Sequence, residues 1–332
     1  MRRFNSRLVL SLLLLLSLCS FAHAGEKAKQ EKKIDLKMTA DYFKGWEGRE
    51  KFPDSVTFAY YYAYSLSALD EKITPEIKVK IIDFIKRCQM ENGGFTSEPS
   101  YSNDANIIFT YYALKSLAFF DSLDAINKEK AKGFVLGLYQ GDGGFIAQDK
   151  KGESASLAMT SYGVQSLQML GALDKLDKQK TIQFINGNIS KDGKGFSMVP
   201  KGGASPHAAN IAVKALGILG GLTDSTKGAV VDYLKSTRYS GLIRDKQYSA
   251  RPHLKAMAET IEAFTLLSAL DQANTSRMLD FVESLYVSEN GGFGPQPGLG
   301  TTPPSTYYGM VCLVELGKLP SLLPHPPKGS GI

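Results

Sequence analysis

Most of this chain alternates between two apolar patterns, and glycine-rich turns recur about every 50 residues. The first pattern is an apolar stripe opposite a lysine- and glutamate-bearing face, as at 77–85, 182–185 and 278–285. Such a stripe predicts a helix with one buried face. Start signals support these helices: 74–76 reads TPE and 127–129 reads NKE, a capping side chain followed in the first turn by proline or glutamate.

The second pattern is apolar nearly all round, which predicts a helix buried on both sides. It follows each glycine-rich turn after a polar loop of about ten residues. The five helices of this kind share one layout: TYYALKSL from Thr110, TSYGVQSL from Thr160, NIAVKALG from Asn210, TIEAFTLL from Thr260 and TYYGMVCL from Thr306. A sixth, SVTFAYYYAYSLSAL, begins at Ser55.

The turns themselves are nearly identical. ENGGF occurs at 91–95 and at 289–293, GDGGF occurs at 141–145, and related turns end at Phe196 and Leu242. Asn-Gly and Asp-Gly supply the positive φ of a chain reversal, and the second glycine has no Cβ to clash. We expect the phenylalanine to pack the turn onto the neighbouring hairpin, so the motif is structural.

Each unit is therefore an outer helix, a tight turn, a loop and an inner helix. With a short outer helix near 36–43, the chain holds six such pairs. One pair cannot bury its inner helix alone, but six can by closing into a ring. The sequence predicts an all-α fold of one domain, an α6/α6 toroid of six helical hairpin repeats spanning 34–319.

The two ends of the chain differ from the repeats. Three arginines precede the apolar run 8–18, and 22–24 reads AHA, which together predict a cleaved signal peptide over 1–24. Residues 25–33 form a charged leader, and 320–332 form a proline-rich tail. We therefore expect the protein to be exported, either to a periplasm or out of the cell.

Composition excludes several function classes. The formal net charge of +6 falls to +3 without the arginines of the signal peptide, and no basic run is interleaved with aromatics, which argues against nucleic-acid binding. No second apolar run is long enough to cross a membrane. Cys88 and Cys312 lie in different elements, which favours two buried thiols over a disulfide.

The amino-acid sequences of the repeats resemble those of a known superfamily, the α/α-toroids of protein prenyltransferase β subunits and of squalene or terpene cyclases. LDAINKEKAKGFVLGLYQGDGGF at 123–145 is similar to the Rab-type geranylgeranyltransferase β subunit, and so are ENGGFGPQPG and TYYGMVCLVELG in the last repeat. The resemblance covers nearly the whole mature chain. It implies a toroid fold, a catalytic zinc that activates a thiolate, a prenyl diphosphate substrate and an α-type partner subunit.

The residues that carry this chemistry in the family do not align with suitable side chains here. The positions of its Asp-x-Cys zinc ligands fall among Ala256, Met257, Ala258 and Ile261, and that of its histidine falls on Ser305. We therefore expect no zinc and no other cofactor.

The family's diphosphate-binding cations are also mostly replaced. An arginine aligns with Ile108 and a histidine with Ala155, and only Arg251 and Lys255 resemble the family's Arg-Pro-x-Lys. A diphosphate needs several cations for its charge, so it would be held poorly. The Asp-x-Asp-Asp acid of the cyclases is missing as well.

Two sets of residues are candidates for binding. Tyrosines of the inner helices, with the two cations named above, are expected to line a central cavity for an apolar or isoprenoid-like molecule: Tyr61, Tyr64, Tyr111, Tyr112, Tyr162, Tyr307, Tyr308, Arg251 and Lys255. The alternative is that most of these tyrosines pack between the helix layers.

The second set is polar and lies near the starts of inner helices. Asp104, Glu153, His207 and His253 would surround one mouth of a toroid, where they suit an acid–base set or an improvised metal site. The alternative is that the carboxylates favour helix N-termini and the histidines are solvated.

Three functions follow. We favour a non-catalytic exported toroid that binds an apolar or isoprenoid-like ligand, or a protein partner, on its concave face. The second is a prenyltransferase-type transferase with displaced ligands. The third is a carbohydrate-active enzyme that uses Glu153 and Asp104.

Overall fold

The structure is a computed structural model that describes residues 34–100, 105–150, 152–241 and 253–320. Asp104, Arg251 and Leu242 lie outside the described residues. Six outer helices carry odd numbers: α1 Leu36–Lys44, α3 Pro75–Arg87, α5 Lys128–Gly137, α7 Lys178–Asn186, α9 Asp224–Ser236 and α11 Thr275–Ser284. Six inner helices carry even numbers: α2 Val56–Ala68, α4 Ile107–Phe119, α6 Leu157–Met169, α8 Pro206–Leu219, α10 Leu254–Leu266 and α12 Pro303–Glu315.

The remaining elements are short. Single 3₁₀ turns lie at Leu123–Ala125, Leu173–Lys175, Arg238–Ser240 and Leu270–Gln272. A two-stranded antiparallel ribbon pairs β1 Tyr286–Val287 with β2 Gly292–Phe293, so the last glycine-rich turn is a small hairpin. Among the described residues, no helix is both long enough and apolar enough to cross a membrane.

The inner helices close into a ring. Each even-numbered helix packs against the next, and α12 packs back onto α2. The prediction of an all-α toroid with six helical pairs is confirmed. The start signals are also confirmed: Thr74 caps α3 with Pro75 in its first turn, and Asn127 caps α5. Each of these caps stabilises its helix by about 1 kcal/mol.

The glycine-rich turn joins three helices, as the third repeat unit shows. Gly143 has φ +93°, and a Cβ there would lie 2.5 Å from the carbonyl oxygen of Lys180 in the next outer helix. Phe145 is fully buried, and its N–H donates to Thr160 Oγ1 of α6 at 3.0 Å. A Cβ on Gly163 of α6 would lie 2.5 Å from the Phe145 ring.

This geometry adds a contact to the one expected of the turn. Gly143 lies against the next outer helix, and Phe145 lies against Gly163 in the inner helix of its own unit. The last turn uses the same contact to close the ring: a Cβ on Gly291 would lie 2.3 Å from the carbonyl oxygen of Met38 in α1. The turn is thus a connector between successive repeats as well as a reversal.

Candidate functional site

A cavity of about 70 Å³ lies at the centre of the ring, between the inner helices. Its lining divides into two faces of different chemistry. We call the first the tyrosine face: Tyr111, Tyr112, Tyr162, Tyr307 and Tyr308, from α4, α6 and α12. We call the second the charged face: Lys115, His207, Lys214, Lys255, Glu259 and Glu262, mostly from α8 and α10.

The spacing of the lining residues follows from helix geometry. They occupy the second, fifth or sixth, and ninth positions of the inner helices, so they fall on one side of each helix, one turn apart. His207 and Lys255 are second residues, and Lys115 and Glu262 are ninth residues. At a rise of ~1.5 Å per residue, seven residues place the ninth layer roughly 10 Å deeper than the second.

The tyrosine face is packed as a cluster of rings. Tyr61 stacks on Tyr307 with ring centroids 4.2 Å apart, and Tyr111 lies 4.9 Å from Tyr162. Tyr61 and Tyr64 are 7% and 5% exposed, and both pack against Tyr307 instead of lining the cavity. Five of the tyrosines selected from the sequence therefore lie at the cavity, and the other two lie against Tyr307.

Burial further favours the protonated form of four of the cavity phenols. It raises the pKa of Tyr162 to about 12, and it raises the pKa of Tyr112, Tyr307 and Tyr308 as well. A protonated phenol keeps its O–H, so these side chains can donate hydrogen bonds as well as present apolar rings.

The outer part of the charged face is a histidine–carboxylate pair. His207 Nδ1 lies 2.7 Å from Glu259 Oε1, and Glu259 is only 9% exposed. Lys255 Nζ lies 3.7 Å from the same oxygen. When neutral His207 donates through Nδ1, its Nε2 is left as an acceptor. The arrangement can orient an imidazole for proton transfer.

The inner part of the charged face is a second ion pair. Lys214 Nζ lies 3.0 Å from Glu262 Oε2, and Asn210 donates to the same oxygen at 3.3 Å. Asn210 also donates to the backbone oxygen of Glu259 at 3.0 Å, which links α8 to α10. These contacts hold two charged side chains in fixed positions beside the cavity.

Lys115 is placed differently from the other lysines. Its Nζ lies 4.4 Å from the centroid of the Tyr60 ring and 5.3 Å from that of Tyr111, within the range of a cation–π contact. Burial works to lower the pKa of this amine, but Tyr111, Tyr60 and Glu262 outweigh it, so the pKa lies above its usual value. The amine is a cation at neutral pH.

The polar residues predicted from the sequence do not form one cluster. Glu153 is exposed, and its carboxylate accepts hydrogen bonds from the backbone N–H groups of Ala147 and Gln148, at 3.0 and 3.1 Å. His253 is exposed and caps α10 by accepting from the N–H of Lys255 at 3.2 Å. Of the predicted polar residues in the described ranges, His207 is at the cavity.

The zinc chemistry implied by the family does not fit this chain. Met257 and Ala258 are buried side chains without a donor atom suited to zinc. The Ser305 hydroxyl lies 2.8 Å from Thr302 Oγ1 in the cap of α12. Burial raises the pKa of the free thiol Cys312 well above its usual value. In the described ranges, no group of three His, Cys, Asp or Glu side chains is close enough to hold a metal.

Sequence reasoning missed half of the charged face. It selected His207 and Lys255 but not Lys115, Lys214 or Glu262. The signal was present, because each of the missed residues is a charge inside a largely apolar inner helix. Aligning the six inner helices at their N-caps and comparing their ninth positions would have found all three.

Comparison of this chain with known proteins supports the ring-shaped fold. A family model described as the prenyltransferase alpha-alpha toroid domain matches residues 50–242 and 257–324. A comparison with curated protein sequences gave no significant match.

Two solved structures share the fold. Candida albicans protein geranylgeranyltransferase-I complexed with GGPP is similar with a TM-score of 0.68 and 16% identity, over 84% of this chain and 90% of that one. The type II terpene cyclase MstE from Scytonema is similar with a TM-score of 0.57 and 13% identity, over 85% of this chain and 98% of that one. The match to the family model covers most of the sequence, and the chain belongs to the prenyltransferase alpha-alpha toroid family.

Proposed function

We propose that this protein is an exported toroid that binds a small amphipathic molecule in its central cavity, without zinc-dependent prenyl transfer. The observation that carries the proposal is the two-sided lining, in which a tyrosine face lies opposite a charged face. A ligand that suits both faces has a ring or unsaturated group for the tyrosines and a polar head for the lysines and glutamates.

The dimensions of the cavity narrow the earlier hypothesis of an isoprenoid-like ligand. Pockets for drug-sized ligands have volumes of about 300–1,000 Å³, whereas this cavity has about 70 Å³. Geranylgeranyl dihydroxybenzoate is bound by a variant of MstE, a structure with a TM-score of 0.56 and 10% identity to this chain. A long apolar chain is disfavoured here by both the volume and the charged face, so we propose a shorter ligand.

Export is part of the proposal because of residues 1–24, whose arginines, apolar run and AHA site are typical of a signal peptide. Independence from zinc is proposed because the aligned positions carry Met257, Ala258 and Ser305. A protein partner on the same concave face is the other occupant proposed from the sequence, and the experiment below distinguishes the two.

Native mass spectrometry of the purified protein tests the proposal. We expect the wild-type chain to carry a small non-covalent ligand. Ile211 lines the cavity and is 7% exposed, so Ile211→Trp places a bulky ring there. This variant should no longer carry the ligand. Leu266→Trp is the matched control, since Leu266 ends α10 at 46% exposure, and it should keep the ligand. A wild-type chain with no bound mass, or one that co-purifies with a protein instead, would reject the proposal.

A second candidate function is proton transfer to the bound molecule. It is favoured by the 2.7 Å contact between His207 Nδ1 and Glu259, which fixes the orientation of an imidazole that lines the cavity. In this candidate function His207 transfers the proton, a role that the carbohydrate-active hypothesis gave to Glu153 and Asp104. Once the ligand is identified, its turnover by wild type and Glu259→Gln is compared. A loss of about 100-fold in rate supports an enzyme, and no turnover by wild type rejects it.

A further inference from the structure

The cavity lining holds more lysines than carboxylates. Three lysines, Lys115, Lys214 and Lys255, line the cavity with two carboxylates, Glu259 and Glu262. Lys214 is paired with Glu262, and Lys255 lies near Glu259. In the described part of the chain, no carboxylate lies within 4.0 Å of Lys115 Nζ. The surplus charge therefore belongs to Lys115.

Burial disfavours the charged form of the Lys115 amine, and a cation–π contact offsets only part of that cost. Lys115 lies against Tyr60 and Tyr111, which are neutral, and Glu262 acts on its charge from beyond 4.0 Å while it is paired with Lys214. An anion in the cavity would give Lys115 a counter-charge of its own.

The groups around Lys115 are donors suited to an oxyanion. Burial keeps the hydroxyls of Tyr112 and Tyr162 protonated by raising their pKa. The side chain of Gln165 lies in the same layer, where it accepts from the Tyr111 hydroxyl at 3.1 Å and donates to the backbone oxygen and the hydroxyl of Ser161 at 3.2 Å. An ammonium group with nearby phenol donors is a typical environment for a carboxylate or a phosphate.

The volume sets the size of that anion. A cavity of about 70 Å³ is much smaller than the ~300–1,000 Å³ of a drug-sized pocket, so it suits a group of a few non-hydrogen atoms. Acetate and inorganic phosphate both fit this limit. A larger molecule would place only its head group here and extend towards the mouth.

We infer that the ninth-residue layer of the inner helices is a binding site for a small oxyanion, a carboxylate or phosphate group, held by Lys115. The inference rests on the proposed function, since it assigns the head group of the same ligand. This layer lies roughly 10 Å from the second-residue layer, so it is distinct from the position of Lys255, which resembles a lysine of the family.

Solution NMR with two simple probes tests the inference. Labelled [¹³C]acetate and inorganic phosphate are titrated separately with the purified protein in chloride-free buffer, observed by ¹³C and ³¹P. We expect saturable line broadening from at least one probe, and the stronger probe identifies the head group as carboxylate or phosphate. No saturable broadening from either probe would overturn the inference.

Three variants place the site. Lys115→Met should weaken binding of the effective probe at least about tenfold. Gln165→Glu should weaken it as much, because it puts a carboxylate in the same layer while keeping the shape of the side chain. Lys318→Met removes an equal charge at an exposed position beyond α12 and should leave binding within about twofold. Unchanged binding in Gln165→Glu overturns the inference even when Lys115→Met does not fold.

The experiments distinguish a failure of the amphipathic-ligand proposal from a failure of the oxyanion inference. If wild type keeps a ligand that Ile211→Trp loses, yet neither probe binds, the cavity is a binding site without an oxyanion head group. If no ligand is retained but a probe binds through Lys115, the deep site stands and the amphipathic ligand does not.

Discussion

At the scale of single residues, one threonine in each of three units connects the turn to the inner helix. Thr110, Thr160 and Thr306 each accept the N–H of the turn phenylalanine, at 3.0–3.1 Å. Each also donates to a backbone carbonyl four residues earlier, so the hydroxyl acts as both a hydrogen-bond acceptor and a donor. A buried amide depends on this oxygen, because no water reaches it.

Replacing such a threonine should destabilise the fold, and the chain offers a matched control. Thr160→Val leaves the N–H of Phe145 unpaired, so we expect a loss of about 1–3 kcal/mol in the free energy of unfolding. The Thr265 hydroxyl has no hydrogen-bond partner, so Thr265→Val should change stability by less than about 0.5 kcal/mol. Urea unfolding measures both. Equal losses in the two variants would refute this role of the hydroxyl.

At the scale of helices, the sequence predicted the elements well and the contacts between them less well. Helical spacing and capping residues located the pairs because those signals are local. Gly163 makes room for the Phe145 ring of its own turn, a contact that helical spacing does not reveal. Which neighbour fills a gap is decided by three-dimensional packing, which spacing along the chain does not encode.

Glycines in two helices of the same unit test this packing. A Cβ on Gly163 of α6 would lie 2.5 Å from Phe145, so Gly163→Ala should destabilise the protein by about 1–3 kcal/mol through overpacking. Gly133 of α5 is exposed, with no atom within 4 Å of an added Cβ. Gly133→Ala should stabilise the protein by up to about 1 kcal/mol. Thermal unfolding compares them, and a stabilised Gly163→Ala would contradict the packing.

At the scale of the whole molecule, the ring was predictable and the chemistry of its centre was only partly so. Tyrosines were expected inside because four of the six inner helices carry them. Lys115, Lys214 and Glu262 were not, since charges in buried helices are unusual and only the closed ring brings them together. Glu153 and His253 were selected for their position before helices, but that position also suits capping and loop contacts.

The buried phenols make the ring sensitive to alkali. Tyrosines in unfolded chains titrate near pH ~10, whereas burial raises the pKa of Tyr162 to about 12 and raises those of Tyr112 and Tyr307. The folded state then binds more protons than the unfolded state, so stability is fully present below pH ~10 and is lost as pH rises further. Urea unfolding at pH values of about 8 and 11 should show the decrease. A higher stability at the upper pH would contradict the buried cluster.

The central claim is that this toroid keeps the frame of its family and binds a different kind of ligand, without zinc. A crystal structure of the purified protein, with diffraction data collected at the zinc absorption edge, tests it most directly. We predict non-protein density in the cavity, in contact with Tyr308 on one side and with Lys115 or Lys214 on the other, and no anomalous peak beside α10 and α12. An anomalous zinc peak, or a cavity that holds only ordered water, would contradict the account.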